Sequence, residues 1–217
     1  MDPSELAQFI DHAALRPDSR STDVDRACDE ALQYRFRGVV VPSGSVGHAK
    51  RRLKDTGLKV VSVVSFPHGT SAPDVKAAEA TRAAAMGADE IDYVISIGAV
   101  LDDDYRFLRE EAVAVLRAVR GKIVKSILEI GYLSDEQKFE AARTLAQAGV
   151  PYVKTCTGFG PGMATEADVR LLARAVHGKA LIKASGGIRD RALAVKLLSA
   201  GAAVLGTSHG PHICTTE

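Results

Sequence analysis

Cysteine is scarce in this sequence, and its arrangement excludes two kinds of protein. The three cysteines, Cys28, Cys156 and Cys214, form no C-x-x-C pair and no cluster with histidine. A sparse, odd set is typical of a reducing compartment and argues against a disulfide framework and against a zinc site. We therefore expect a cytoplasmic protein with no bound metal.

Long apolar runs and an excess of one charge are also missing. No run approaches the roughly 18 apolar residues of a membrane span. Residues 1–15 contain early acidic residues instead of the apolar core of a signal peptide. A net charge of +1 gives no electrostatic reason to expect nucleic acid or an anionic membrane as a partner. The composition is compatible with a small charged ligand.

What the chain does contain is a repeated unit, in which a helix end, a glycine and a β-branched run follow one another. Four segments share it: residues 33–41, 85–95, 147–154 and 199–206. Their glycines suit the left-handed residue that ends a helix before a strand; they are Gly38, Gly87, Gly149 and Gly201.

Further apolar runs lie at residues 58–67, 122–130 and 180–187. Helical patterns with capping residues separate the runs, at residues 70–86, 134–148, 165–176 and 189–200. Alternating helices and near-continuous apolar strands predict a parallel sheet covered on both faces. Seven strands are clear, and residues 9–15, after a short helix, are an eighth candidate.

Eight such units predict one (β/α)8 (TIM) barrel over residues 1–217, in a chain a little shorter than the typical ~250 residues. A doubly wound open sheet is the structural alternative. That fold usually has a G-x-G-x-x-G turn after its first strand, and the motif is absent here. No linker or low-complexity segment divides the chain.

Charged residues lie in the predicted strands, where barrels place their active sites. Lys154 and Lys183 end strands one β/α unit apart, so we expect them to be neighbours at one mouth of the barrel. The other charged or polar candidates in strands are Asp11, His12, Asp92, Lys125 and Glu129.

Two close ammonium groups disfavour each other's charged form, and burial adds to that effect. A lysine with a lowered pKa is a nucleophilic amine that can form an imine with a carbonyl substrate. Asp92 could then exchange protons with the second lysine. For a lone lysine, a solvated strand end would be the better interpretation; two at matching positions favour function. Asp11, His12 and Glu129 are as well explained by structural roles, and Lys125 could pair with Asp92 or Glu129.

Glycine-rich turns follow the seventh and eighth strands, at "SGGIR" (185–189) and "GTSHG" (206–210). Loops at these two places often bind phosphate through backbone N–H groups, although plain turns also use glycine and serine. We expect a phosphate site there; its candidate residues are Gly158, Gly186, Gly187, Gly206 and Ser208.

These motifs also carry a resemblance to a known family. "IDHAAL", "SFPHG", "GADEIDYVISIGA", "VKTCTGF", "IKASGGIR" and "AGAAVLGTS" occur in that family's order along nearly the whole chain. The sequence resembles deoxyribose-phosphate aldolase, a Schiff-base class I aldolase family with a (β/α)8 fold. The resemblance implies that Lys154 forms the imine and that Asp92 and Lys183 transfer protons. It implies no metal or organic cofactor, and family members often form dimers or tetramers.

Four positions depart from the family pattern: Ala13 and Ile130 stand where threonine is usual, Val40 where cysteine is usual, and His209 where serine is usual. These changes remove hydroxyl or thiol groups around the expected sugar site and leave the lysines and Asp92 unchanged. We therefore expect imine chemistry, with the acceptor sugar open.

The resemblance thus implies a lyase that reversibly cleaves 2-deoxy-D-ribose 5-phosphate to acetaldehyde and D-glyceraldehyde 3-phosphate, and we expect Asp11 and Lys125 among the substrate-binding residues. Its expected partners are a phosphosugar and aldehydes, and a further copy of itself. One rival hypothesis is a related aldolase that uses a different aldehyde pair. The other is a non-catalytic barrel that binds phosphosugars.

Overall fold

The computed structural model describes residues 1–215, in which eight parallel strands close into a barrel in sequence order. The strands are β1 (Ile10–Ala13), β2 (Gly38–Pro42), β3 (Lys59–Val64), β4 (Glu90–Val94), β5 (Ile123–Ile127), β6 (Tyr152–Lys154), β7 (Leu181–Ser185) and β8 (Ala202–Thr207). β1 pairs with both β2 and β8, which closes the ring. The predicted (β/α)8 barrel is confirmed, including its eighth strand, and the open-sheet alternative is wrong.

Helices lie between the strands and at both ends of the described chain. They are α1 (Pro3–Ala7), α2 (Ser21–Tyr34), α3 (Val46–Arg52), α4 (Pro73–Ala85), α5 (Ile97–Leu101), α6 (Tyr105–Ala118), α7 (Asp135–Gln147), α8 (Glu166–Val176), α9 (Arg191–Ser199) and α10 (Gly210–Thr215). Two short 3₁₀ turns lie at Ser43–Ser45 and Ile130–Tyr132. The helical pattern with capping residues predicted at 134–148 is confirmed as α7, where Ser134 accepts a hydrogen bond from the Gln137 N–H in a capping box.

Successive residues of each strand face opposite sides of the barrel wall. In β2, Val39 and Val41 pack into the main core between barrel and helices, whereas Val40 belongs to a separate apolar cluster. In β4, Ile91 and Tyr93 join the main core, and the intervening Asp92 pairs with lysines. The alternation therefore turns Val39, Val41, Ile91 and Tyr93 towards the helices, and turns Val40 and Asp92 towards the inside of the barrel.

The helix-ending glycine prediction is confirmed at three of its four positions. Gly87, Gly149 and Gly201 have φ values of 105°, 90° and 115°. The prediction is wrong for Gly38, because α2 ends through Arg35 in the left-handed conformation. Gly38 instead begins β2, where a Cβ would lie 2.5 Å from the Lys59 carbonyl oxygen. Close strand pairing, and not helix termination, requires glycine there.

Candidate active site

Lys154 and Lys183 are direct neighbours on adjacent strands. The register of β6 and β7 pairs the two residues, as their spacing predicts. Lys154 Nζ lies 3.0 Å from Asp92 Oδ2, and Lys183 Nζ lies 2.8 Å from the same oxygen. All three side chains are buried, with Lys154 the most exposed at 3%. One carboxylate oxygen thus joins the two lysines.

The second oxygen of Asp92 accepts a hydrogen bond from Lys125 Nζ at 2.8 Å. Burial alone would raise the pKa of Asp92, but the three ammonium groups around it hold that pKa well below the ordinary value. Burial would likewise lower the pKa of Lys125, yet the nearby carboxylates outweigh it and raise that pKa. Asp92 and Lys125 are therefore both charged near neutral pH.

A second set of ion pairs lies beneath this one. Lys183 also donates to Asp11 Oδ2 at 2.5 Å. Arg37 bridges Asp11 and Glu90, at 2.7 and 2.5 Å, and Lys125 donates to Glu90 as well. Sequence reasoning missed Arg37 and Glu90, because a charged residue at the start of a strand resembles an ordinary solvated strand end.

Positive charges outnumber negative ones when the two sets of ion pairs are taken together as one cluster. In the part of the chain that the structure describes, it contains four cationic side chains, Arg37, Lys125, Lys154 and Lys183, and three acidic ones, Asp11, Glu90 and Asp92. Three of the cations contact two carboxylates each, whereas Lys154 contacts only Asp92, which it shares. Lys154 is the least compensated of the four.

Burial, opposed by Asp92 and assisted by Lys183, lowers the pKa of Lys154 to about 8. At pH 7 roughly one Lys154 in ten is then a neutral amine, against fewer than about one in a thousand for an ordinary lysine. A buried neutral amine beside an acid–base pair is equipped for attack on a carbonyl carbon.

A cavity of about 790 Å³ lies over these lysines. Lys154 and Lys183 line it, together with every residue predicted for phosphate: Gly158, Gly186, Gly187, Gly206 and Ser208. Asp11 and Lys125 do not line it, and their fully buried side chains hold the charged neighbours instead. The geometry therefore gives these two residues a supporting place beneath the cavity.

The glycine-rich loops approach the lysines closely. A Cβ on Gly206 would lie 3.1 Å from Lys183 Cε and 2.9 Å from Ser185 Cβ, so only glycine leaves the lysine undisturbed. Next to it, the Thr207 hydroxyl donates to the Ile188 carbonyl at 2.7 Å and accepts the His209 N–H at 2.9 Å. These bonds tie the loops after β7 and β8 into one cup.

Glu129 fixes the loop after β6. Its carboxylate accepts the Thr157 N–H at 3.2 Å and also the Thr157 hydroxyl. Burial raises the pKa of Glu129.

His12, another polar candidate in a predicted strand, is bonded through Nε2 to Glu30 Oε2 at 2.6 Å. Lys125 pairs with Asp92 rather than Glu129, which resolves the alternative left open by the sequence.

The four departures from the family pattern lie in different surroundings. Ala13, Val40 and His209 line the cavity. Ile130 is buried in the main core, so it does not face a ligand. Cys156 is fully buried, and burial raises its pKa to about 12, so its thiol remains protonated near neutral pH.

Residues 1–215 contain neither a grouping of side chains suited to a metal ion nor a helix suited to a membrane. Across residues 1–215, no three His, Cys, Asp or Glu side chains are grouped so that they could hold a metal ion. Over the same residues, every helix is too short or too polar to cross a membrane.

Comparison with known proteins connects this geometry to one family. The model of the DeoC/LacD family of aldolases matches residues 6–215. The deoxyribose-phosphate aldolase of Carboxydothermus hydrogenoformans is 44% identical over 97% of this chain and 94% of its own length. That of Thermus thermophilus is 43% identical, over 98% and 97%. The tetrameric deoxyribose phosphate aldolase of Aeropyrum pernix superposes with a TM-score of 0.88 at 30% identity, covering 98% of this chain and 91% of its own.

Proposed function

Because the chain belongs to the DeoC/LacD family of aldolases, we propose that it reversibly cleaves 2-deoxy-D-ribose 5-phosphate to acetaldehyde and D-glyceraldehyde 3-phosphate. The observation that carries this proposal is Lys154: a buried lysine whose pKa is lowered to about 8 and whose amine contacts Asp92 under a cavity. Imine formation requires such an amine.

The first stage forms the imine. The neutral Lys154 amine attacks the aldehyde carbon of the open-chain sugar, giving a carbinolamine that loses water. Asp92 and Lys183, 2.8 Å apart, supply and remove the protons for this step. The nitrogen ends as a protonated imine, which can accept an electron pair from the neighbouring carbons.

The second stage breaks the bond between carbons 2 and 3. The hydroxyl on carbon 3 loses its proton and becomes the aldehyde of glyceraldehyde 3-phosphate, and the bonding electrons move into an enamine on Lys154. Carbon 2 then takes a proton, and water hydrolyses the imine to acetaldehyde and free Lys154. We assign the proton transfers to the Asp92–Lys183 pair.

The phosphate is assigned to the cup formed by Gly158, Gly186, Gly187, Gly206 and Ser208, all of which line the cavity. Backbone N–H groups in such turns bind phosphate without a cationic side chain. Binding at this far end can orient the reacting carbons over Lys154. The steps use only side chains of this chain and water.

Three further proposals concern the protein as a whole. We propose that residues 1–217 form a single aldolase domain, in keeping with strands that run from Ile10 to Thr207. Three free cysteines support a cytoplasmic setting. The tetramer of the Aeropyrum pernix aldolase supports a homo-oligomer, and sedimentation at several protein concentrations would test it.

Turnover tests the proposed reaction. The protein is mixed with 2-deoxyribose 5-phosphate, and the release of acetaldehyde and glyceraldehyde 3-phosphate is followed in separate assays. We expect equal amounts of both products, and at least a thousandfold lower rate in Lys154→Met. Folded protein that releases neither product would contradict the proposal and leave the two rivals, an aldolase with a different aldehyde pair and a phosphosugar-binding barrel.

A further inference from the structure

Glu129 combines two features that each lower stability, and it lies next to the site. The residue is 1% exposed, and within residues 1–215 its hydrogen bonds come from Thr157 and not from a cationic side chain. Burying a carboxyl group without a cation is costly. Its φ of 51° lies in the left-handed region, which residues with a Cβ disfavour. Strained residues beside an active site commonly support its function.

The turn formed by residues 157–160 is built around this carboxyl group. The Thr157 N–H donates to Glu129 Oε2 at 3.2 Å, and the Thr157 hydroxyl donates to the same oxygen. Thr157 Oγ1 in turn accepts the Phe159 N–H at 3.0 Å. A Cβ on Gly160 would lie 2.9 Å from Glu129 Cδ, so the backbone there packs directly on the carboxyl group. Glu129 therefore contacts both ends of the turn.

Gly158 lies in the middle of the turn and lines the cavity over Lys154. Its φ of 87° suits glycine. The N–H groups of Thr157 and Phe159, on either side of it, are both bonded, whereas no acceptor within residues 1–215 takes the Gly158 N–H. Backbone N–H groups held in this way bind phosphate. The carboxyl group of Glu129 thus fixes the direction of an N–H group that can serve a ligand.

Other contacts hold the first part of the loop after β6. The Thr155 hydroxyl donates to the Ser185 carbonyl at 2.7 Å and accepts the Ser185 N–H at 2.9 Å. Lys154 lies within β6, where the strand register pairs it with Lys183. A change at Glu129 should therefore release the turn and leave the imine-forming lysine in place.

We propose that Glu129 is a positioning residue for the phosphate group of the substrate, acting through Thr157 on the Gly158 N–H. The inference rests on the proposed function, which supplies a phosphorylated sugar. Glu129 is not among the residues that line the cavity over Lys154, so it acts on the substrate through the turn and does not touch it. No bond of the substrate is made or broken in this role.

The expected effect is the loss of one hydrogen bond to phosphate. A hydrogen bond to a charged group is worth about tenfold to a hundredfold in affinity. The other candidates for phosphate contact lie in the loops after β7 and β8 or at the end of β8 and remain unchanged; they are Gly186, Gly187, Arg189, Gly206, Ser208 and His209. Phosphate binding should therefore weaken and not disappear.

Two pairs of variants test the inference by calorimetric titration with inorganic phosphate. Glu129→Leu removes the acceptor, and Glu129→Gln, which keeps an acceptor oxygen, is its matched control. Thr157→Val removes the hydroxyl and Thr157→Ser retains it. The second pair covers the case in which Glu129→Leu does not fold.

We expect the Kd for phosphate to rise by about tenfold or more in Glu129→Leu and in Thr157→Val, and to stay within about threefold in the two controls. Combining Glu129→Leu with Thr157→Val should add less than about threefold to the larger single effect, because both changes act on one contact.

Kinetics separate a role in phosphate binding from a general structural role. Because 2-deoxyribose lacks the phosphate, its kcat/KM should change by less than about threefold in Glu129→Leu. The kcat/KM for 2-deoxyribose 5-phosphate should fall about tenfold or more in the same variant. A merely structural role would reduce both values equally.

The outcomes separate this inference from the proposed function. Equal losses for the two sugars, or unchanged phosphate affinity in both Glu129→Leu and Thr157→Val, would overturn the inference and leave the proposed function intact. Unmodified protein that binds no phosphate would also overturn it, even if both sugars are cleaved. Protein whose phosphate affinity depends on Glu129 as expected, but which cleaves neither sugar, would support the inference and contradict the proposed function.

Discussion

At the scale of single residues, Lys154 differs from the other cations inside the barrel by its surroundings. Lys183, Lys125 and Arg37 each contact two carboxylates, and Lys154 shares one. Burial then lowers its pKa to about 8. The reactivity of the amine follows first from its burial and then from the small amount of negative charge beside it, and not from the lysine alone.

The pH dependence of imine formation tests this explanation. Because the neutral amine reacts, the rate of imine formation with acetaldehyde should rise with pH and reach half its maximum near pH 8. Asp92 opposes the lowering of the Lys154 pKa, so Asp92→Asn should move the midpoint to lower pH even as turnover falls. Stopped-flow measurements would give both midpoints, and one near 10 in the unmodified protein would contradict the explanation.

The same lysine should reduce stability. The pKa of Lys154 is about 8 in the folded protein, against the ordinary value of 10.5 expected in the unfolded chain. The unfolded chain therefore binds this proton more tightly, and protonation of Lys154 lowers the free energy of unfolding. This cost is fully present below pH 8 and disappears as the pH rises from 8 to 10.5. Lys154→Met should raise the free energy of unfolding at pH 7 by about 2 kcal/mol, with a smaller gain at pH 10.

Urea unfolding at both pH values measures that difference. Asp92 keeps its hydrogen bonds to Lys125 and Lys183 in the variant, so no buried carboxylate is left alone. A variant less stable than the unmodified protein at pH 7 would show that Lys154 is a net stabilising group.

At the scale of elements, strand pairing brings the site together. The sequence predicts each strand because β-branched runs alternate with helical patterns, and the spacing of Lys154 and Lys183 predicts their proximity. The ties between distant loops could not be predicted in this way. The bond between Glu129 and Thr157 joins two loops through side chains whose local sequence is that of ordinary turns.

Gly38 shows how closely two strands can constrain one position. A Cβ there would lie 2.5 Å from the Lys59 carbonyl oxygen, whereas one at Gly98 in α5 would meet nothing within 4 Å. Gly38→Ala should therefore lower the free energy of unfolding by about 2 kcal/mol or more. Gly98→Ala, the matched control, should raise it by about 0.5 kcal/mol. Equal effects in urea titrations of the two variants would contradict this account of β2.

At the scale of the whole molecule, a second buried ion pair lies outside the barrel. Lys76 of α4 donates to Glu111 of α6 at 2.6 Å, and both side chains are fully buried. Glu111 also accepts the Ser96 hydroxyl at 2.6 Å, just after β4. The pair joins two helices and the end of a strand, so we assign it to stability and not to catalysis.

Deleting one partner should cost far more than deleting both. Lys76→Met leaves Glu111 without its cation and should lower the free energy of unfolding by about 3 to 5 kcal/mol. The double variant Lys76→Met, Glu111→Gln, whose amide oxygen can still accept from Ser96, should recover at least half of that loss, with KM unchanged within twofold. A double variant as unstable as the single one would contradict this, and thermal and urea unfolding measure it.

The ion pairs inside the barrel and the Lys76–Glu111 pair between α4 and α6 show what could not be predicted from the sequence. The repeat of apolar runs and helical patterns predicts the barrel, because parallel strands covered on both faces are buried along almost their whole length. It cannot assign Asp11, Lys125, Arg37 and Glu90 to a layer beneath the cavity, because each is a single charge whose partners are distant in the chain. Lys76 and Glu111 were missed for the same reason: in a helix, a lone lysine or glutamate is typical of a solvated face.

The central claim is that Lys154 forms an imine, and reductive trapping tests it most directly. The protein is incubated with acetaldehyde and reduced with borohydride, and the intact mass and the modified peptide are then determined. The account predicts one reduced adduct, on Lys154, that is absent in Lys154→Met. No adduct in folded protein, or an adduct confined to another lysine, would contradict it.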